Sequence, residues 1–121
     1  MSTFTVLVVD DDPDIVEFLD AALTDEGYAV LTAVNGFALP LAVQHQPSVI
    51  LLDIQMPGMD GVEISKRLRA DPETAEIPII VMSATDRLAA TVRQMPVNDQ
   101  LAKPFGLRAL FDAVARWCPP A

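Results

Sequence analysis

Val49-Ile50-Leu51-Leu52-Asp53-Ile54-Gln55-Met56-Pro57-Gly58-Met59-Asp60-Gly61 is the stretch whose reading decides the fold. An apolar run rich in β-branched residues and leucine ends abruptly at a carboxylate. A Pro-Gly turn follows, and then a helix start. The run is too short for a helix and reads as a fully buried strand, closed by Pro57-Gly58. Asp53 therefore stands at the carboxyl end of a central strand, the edge of an open α/β sheet at which ligands bind.

The same pattern recurs outward from this point. Phe4 to Val9 is apolar and β-branched, and it runs straight into Asp10-Asp11-Asp12. Asp12-Pro13 is a helix start, with Asp as N-cap, Pro at the first helical position and Asp14 in the first turn. Ile15, Phe18, Leu19, Ala22 and Leu23 recur at helical spacing, and Gly27 ends that helix. Tyr28 to Val34 is a second strand, followed by an Asn35-Gly36 turn. Phe37 to His45 is a second helix only if Pro40 lies in its first turn. It is apolar on nearly every side, which fits a well-buried helix first and a partner-binding surface second.

Downstream, Met59 to Ala70 reads as a third helix, with Val62, Ile64 and Leu68 inward and Glu63, Lys66, Arg67 and Arg69 outward; Asp71-Pro72 closes it. Ile77 to Met82 is a fourth strand, followed by Ser83-Ala84-Thr85. Asp86 to Met95 is a short helical pattern closed by Pro96. Asp99 to Ala102 is a weak fifth strand, ended by Lys103-Pro104. Leu107, Leu110, Phe111, Val114 and Trp117 form the apolar stripe of a last helix that stops at Pro119-Pro120. Five strands alternating with five helices imply a single α/β domain: a doubly wound parallel sheet with right-handed crossovers and helices on both faces.

Bulk properties narrow the function. The chain has 121 residues, 51% of them hydrophobic, enough for one domain with a real core. Its longest apolar runs are too short to span a bilayer, and no secretory signal is visible at the N-terminus, so a cytoplasmic protein without membrane insertion is expected. A single cysteine, Cys118, allows no intrachain disulfide. The net charge of −9, with basic residues mostly scattered, argues against direct nucleic-acid binding and suits a cation site.

Asp10 and Asp11, Asp53, Ser83 and Lys103 each follow a strand in chain order. Neighbouring strands would bring them to one crevice. Clustered carboxylates repel one another, and a hard divalent cation such as Mg2+ resolves the repulsion through oxygen ligands. The chemistry that this set suggests is phosphoryl transfer to a carboxylate, which needs alignment and charge stabilisation more than covalent work. Asp53 would be the nucleophile, Lys103 a point charge on phosphoryl oxygens, and the Ser83 hydroxyl a donor to another oxygen. Asp12 is read as a helix cap, Asp60 as structural at the start of the third helix, His45 as a surface residue near the end of the second helix, Cys118 as an inert residue at the frayed end of the last helix, and Trp117 as packed in or beside the core.

With these residues in view, the sequence resembles a response-regulator receiver domain of bacterial two-component signalling. The features that match are Val8-Val9-Asp10-Asp11-Asp12-Pro13, Leu52 to Gly61, Met82-Ser83-Ala84 and Lys103-Pro104-Phe105. The resemblance covers nearly the whole chain, so residues 1–121 are expected to be one receiver domain with no output domain, of flavodoxin-like fold with strand order 2-1-3-4-5. It implies that Asp53 is the phosphoacceptor, supplied by a sensor histidine kinase or a histidine phosphotransfer domain, and that a downstream target protein or output domain reads the result. It further implies Mg2+ held by Asp11 and Asp53 directly, by Asp10 through water and by the backbone carbonyl of Gln55. Ser83 would follow the phosphoryl group on activation and Lys103 would bind it. Gln55 and Thr85 would tune the acyl-phosphate lifetime, and the Lys103-Pro104 bond would be cis. Turnover would be limited to the protein's own phosphorylation and dephosphorylation.

The chain departs from the family pattern at Gln100, where an aromatic switch residue is usual, and at Arg93 to Asn98, where a Gly-Ala pair usually precedes the fifth strand. Signalling without the aromatic flip is therefore expected. A phosphorylation-dependent dimer through the face of the fourth helix, fifth strand and fifth helix stays open. Two other readings compete. A hydrolase with an aspartyl-phosphate intermediate needs a second acid two residues after the nucleophile, where Gln55 stands. A pseudo-receiver would keep the fold as an interaction module without phosphorylation. A dinucleotide site is weaker still, because no G-x-G-x-x-G follows a strand.

Overall fold

The strands Thr5–Val9, Val49–Asp53 and Ile79–Ser83 form where β-branched and leucine-rich runs are covered on both faces, and the helices Pro13–Asp25 and Gly61–Ala70 start where an aspartate cap meets an amphipathic repeat. The computed structural model describes residues 4–54, 59–83 and 89–118. Its strands are β1 (Thr5–Val9), β2 (Ala29–Ala33), β3 (Val49–Asp53), β4 (Ile79–Ser83) and β5 (Asp99–Ala102). The helices are α1 (Pro13–Asp25), α2 (Ala38–His45), α3 (Gly61–Ala70), α4 (Ala89–Arg93) and α5 (Leu107–Trp117). All strand pairs are parallel and the order is β2-β1-β3-β4-β5, as the resemblance implies.

Alternate residues of β1, β3 and β4 feed the cores on the two faces of the sheet. Val6, Val8, Val49, Leu51, Ile80 and Met82 meet Leu19 and Leu23 of α1 and Leu110 and Val114 of α5. Leu7, Val9, Ile50, Leu52 and Ile79 meet Ala38 and Ala42 of α2 and Ile64 and Leu68 of α3. Every residue of β3 is buried, as expected for the middle strand of a doubly covered sheet. Each large aliphatic side chain so buried contributes about 1.5–3 kcal/mol.

The caps follow the sequence reading. The Asp12 carboxylate accepts from the Asp14 amide, with Pro13 at the first helical position. Gly27 takes the left-handed φ of 97° that ends the first helix region. The Asp60 carboxylate accepts from the Glu63 amide to cap α3.

Four readings need correction. Phe37–His45 is not a well-buried helix. Asn35–Phe37 is a 3-10 turn rather than a simple bend, and α2 fully buries only Ala38 and Ala42, leaving Phe37 66% exposed. An eight-residue helix that packs on one side of a sheet cannot cover its outer face, whatever its composition. Leu107 sits exposed at the head of α5 rather than in its apolar stripe. Arg69 does not point outward. Its guanidinium turns back, donating to the carbonyls of Pro96, Ala75 and Ile77 and to Asn98 Oδ1. Cys118 is not at a frayed end: it is 1% exposed and closes the core beneath α5.

Candidate functional site

The register builds the site. Val9 pairs with Leu52, so the next residues, Asp10 and Asp53, end neighbouring strands at the same level. Asp53 pairs with Met82, one residue before Ser83, and Ser83 pairs with Ala102, one residue before Lys103. The Lys103 amide donates to the Ser83 carbonyl at 2.7 Å, which carries this last pairing one residue beyond β5.

Asp10 is 1% exposed and Asp53 7%, whereas Asp11 is open to solvent. One carboxylate oxygen from each of the three lies within 4.8 Å of the others. Lys103 reaches in from the far side. Its Nζ donates to Asp10 Oδ2 at 3.0 Å and to Asp53 Oδ1 at 3.3 Å. Burial alone would lower the Lys103 pKa, but the Asp10 hydrogen bond and the charges of Asp53 and Asp10 outweigh it and hold the ammonium above its ordinary value. Asp10 is fixed further by the Asp12 amide, which donates to its Oδ1 at 3.0 Å. The Lys103-Pro104 bond is cis. Among the described residues, three carboxylates stand at the crevice with the Lys103 ammonium.

Gly61 is a site residue that the sequence reading quoted in the central stretch but gave no role. A Cβ there would lie 2.4 Å from the Asp53 carbonyl oxygen and 2.8 Å from Ile54 Cα. The Gly61 amide donates to the Ile54 carbonyl at 2.9 Å. The first turn of α3 thus rests directly on the backbone of the central carboxylate, which only a residue without a side chain allows. The signal was Asp60-Gly61, where an N-cap is followed by glycine although the helix needs no left-handed φ there.

Of the other residues singled out, Ser83 is half-buried at the end of β4 and Gln100 is exposed on β5, paired with Val81. His45 is exposed at the carboxyl end of α2, which places it at the opposite end of the sheet from the crevice. Gln55 and Thr85, with Met56, Pro57, Gly58 and Ala84, lie outside the described residues. Two clefts of about 300 Å3 each flank the crevice. One is lined by Asp10, Asp11, Pro13, Val16, Thr32 and neighbours, the other by Ile15, Phe18, Lys103, Pro104 and Phe105.

A parallel sheet in the order 2-1-3-4-5 with three carboxylates and a lysine at its carboxyl edge defines a receiver, and the chain belongs to the response regulator receiver domain family, whose model matches residues 6–115. Among individual relatives, it is 40% identical over 112 residues to Response regulator PleD of Caulobacter vibrioides, covering 90% of this chain and 25% of PleD. It is 35% identical to Sporulation initiation phosphotransferase F of Bacillus subtilis, covering 94% of this chain and 93% of that protein. Among solved structures, the receiver domain of sensor histidine kinase PA1611 from Pseudomonas aeruginosa, described with a magnesium ion coordinated in its active site cleft, superposes with a TM-score of 0.90. That pair is 29% identical, and the match covers 96% of this chain and 98% of that one. The chain thus spans a quarter of PleD and nearly all of the sporulation phosphotransferase. Among the described residues, no helix is long and apolar enough to cross a membrane.

Proposed function

We propose that this receiver accepts a phosphoryl group on Asp53 from a phosphohistidine of a sensor histidine kinase or histidine phosphotransfer domain, and that a target protein or output domain reads the modified state. The observation that carries the proposal is the contact of Lys103 Nζ with both Asp10 and Asp53 beside a third carboxylate. In the transfer, an Asp53 carboxylate oxygen forms the new O–P bond as the P–N bond of the donor imidazole breaks, and the released electron pair stays on that ring nitrogen. Lys103 offsets charge on the phosphoryl oxygens and the Ser83 hydroxyl donates to one of them. Asp10 holds Lys103 in place while Gly61 seats the Asp53 backbone.

The donor set fits Mg2+: it is all oxygen, clustered, and carries more negative charge than Lys103 balances. Asp11 and Asp53 would hold the ion directly and Asp10 through water, with the Gln55 carbonyl as a further ligand. Bound there, the ion supplies charge neutralisation and alignment of the transferring group. The magnesium described in the PA1611 receiver supports this reading. Gln55 and Thr85 would set how long the acyl phosphate lasts.

Exposed Gln100 supports a second element of the reading: the change that follows phosphorylation runs through Ser83 without an aromatic flip on β5. A phosphorylation-dependent response abolished by Gln100→Ala would refute this. The pseudo-receiver reading is disfavoured by the full complement of Asp10, Asp11, Asp53, Ser83 and Lys103.

The deciding experiment is intact-mass spectrometry after incubation with acetyl phosphate and Mg2+. The expected result is a single phosphoryl adduct, lost with EDTA and lost in Asp53→Asn. An adduct that persists in Asp53→Asn would overturn the assignment.

A further inference from the structure

Asp12 stands where the crevice meets α1, and it serves both. Its carboxylate accepts from the Asp14 amide at 3.0 Å, its carbonyl accepts from the Val16 amide at 3.0 Å, and Pro13 follows it. These three constraints hold its backbone extended, at φ −87° and ψ 110°. The remaining backbone group is the amide, and it donates to Asp10 Oδ1 at 3.0 Å.

That bond divides the Asp10 carboxylate between two partners. Oδ1 takes the Asp12 amide, and Oδ2 takes Lys103 Nζ at 3.0 Å. The terminal torsion of an aspartate is broad, so one fixed oxygen sets where the other points. Asp10 is buried, which leaves water little access to replace either bond. Lys103 depends on this aim. A lysine carries its charge on a flexible four-carbon stem, and the ammonium keeps one place only where acceptors hold it. Asp10 is the nearer of its two carboxylates, at 3.0 Å against 3.3 Å for Asp53.

We propose that Asp12 is a positioning residue for phosphoryl acceptance: it caps α1, aims its own amide at Asp10, and through Asp10 keeps the Lys103 ammonium against Asp53. The inference rests on the transfer to Asp53 proposed above. It gives Asp12 a role beyond the helix start, because the side chain that begins α1 also fixes the turn whose amide orders the crevice. What matters in Asp12 is the capping oxygen and not the charge. Asparagine supplies the same acceptor, and alanine does not. Misplacing a charge-stabilising group by about 1 Å can slow a reaction by up to about a hundredfold. Asp10 and Asp53 still hold Lys103 when the cap is lost, so the loss here is smaller.

The test uses the full chain and two measurements. Phosphorylation by acetyl phosphate with Mg2+ is timed by intact mass. The Lys103 ammonium is observed by 15N NMR in EDTA, with Lys66, the other lysine of the chain, as reference. Asp12→Ala is expected to slow adduct formation by about threefold to tenfold, with Mg2+ affinity retained, and to broaden the Lys103 signal but not that of Lys66. Asp12→Asn is expected to keep the wild-type rate and signal. Thr74→Ala, which removes a hydroxyl bonded to the Leu68 carbonyl, serves as a control for general destabilisation and is expected to change neither. Circular dichroism checks folding, and Asp12→Gly carries the test if Asp12→Ala does not fold. An unchanged Lys103 signal in the folded Ala or Gly variant would overturn the proposal. So would an equal loss of rate in Asp12→Asn, because the charge would then be acting, or a loss matched by weaker Mg2+ binding, because Asp12 would then act on Asp11. A wild type that forms no adduct would refute the transfer itself, and the Lys103 signal would still decide whether Asp12 holds the ammonium.

Discussion

The two ends of the sheet treat charge in opposite ways. At the carboxyl end, Lys103 pairs with Asp10 and Asp53, Asp11 stands beside them, and among the described residues the carboxylates of this cluster outnumber the ammonium. At the amino end, Arg69 and Asp99 are each engaged by several partners. Arg69 donates to three carbonyls and to Asn98 Oδ1, and that same oxygen accepts from the Ile79 amide where β4 begins. Asp99, at the start of β5, is held by Arg116, Trp117 and the Gln100 amide. Surplus charge costs stability and is tolerable where a cation and a phosphoryl group are to be received. Satisfied charge ties loops together and leaves nothing for a ligand. On the proposed function, the difference separates residues that act from residues that hold, although both sets are polar and both lie at strand ends.

The sharpest way to break this contrast is to exchange the expected phenotypes. Asp53→Asn should abolish the phosphoryl adduct completely while the chain stays folded, as judged by intact mass and circular dichroism. Arg69→Ala should do the reverse. It removes a charged donor from several carbonyls at once and should cost about 2–3 kcal/mol in a urea titration, with the adduct still formed. Lysine at 69 should rescue little of this, since a single ammonium cannot span the set of acceptors that the planar guanidinium reaches. Loss of the adduct in a folded Arg69→Ala protein would show that the amino end is not merely holding.

Gly61→Ala tests the boundary between the two roles, because α3 rests on Asp53 itself. The added methyl meets backbone on both Asp53 and Ile54, so about 1–3 kcal/mol of stability and a slower phosphorylation rate should be lost together.

Relief of surplus charge should show without any phosphate. In EDTA, Asp53→Asn should be more stable than wild type by on the order of 1 kcal/mol, because one member of a mutually repelling cluster has become neutral. Adding Mg2+ should raise the melting temperature of wild type and narrow that gap.

The smallest effect belongs to Asp99. Burial would raise its pKa, but hydrogen bonds from Trp117 and the Gln100 amide, with the Arg116 charge, hold it below the ordinary carboxylate value. A lowered native pKa means stability that is present above the unfolded value near 4 and lost as pH falls through the native one. Partial exposure screens the cluster, so Asp99→Asn should remove less than about 1 kcal/mol of the acid dependence in melting curves taken from pH 5 downward.

Much of the fold was legible because it rests on local patterns. Asp12-Pro13 and Asp60 announce helix starts through side chain to amide bonds a few residues long. The Asp53 strand declares itself by an apolar run and a turn. The acids, the serine and the lysine at strand ends were visible as types in order. What was misread involved partners remote in sequence. Arg69 follows the helical period of an exposed position, yet finds its acceptors in segments that the chain reaches only after turning back. Phe37–His45 is apolar enough for a core helix, but Phe37 and Val43 stay exposed on its outer face.

The sequence by itself determined where strands and helices begin, that the strands run parallel, and which side chains stand at their ends, because propensity, caps and hydrophobic period act within a few residues. Only the tertiary structure decided that Lys103 would lie between Asp10 and Asp53, across 93 and 50 residues of chain. It also decided that Gly61 would seat the Asp53 backbone. Those outcomes depend on strand register and on which surfaces remain once the cores are filled, and no local run of residues encodes either.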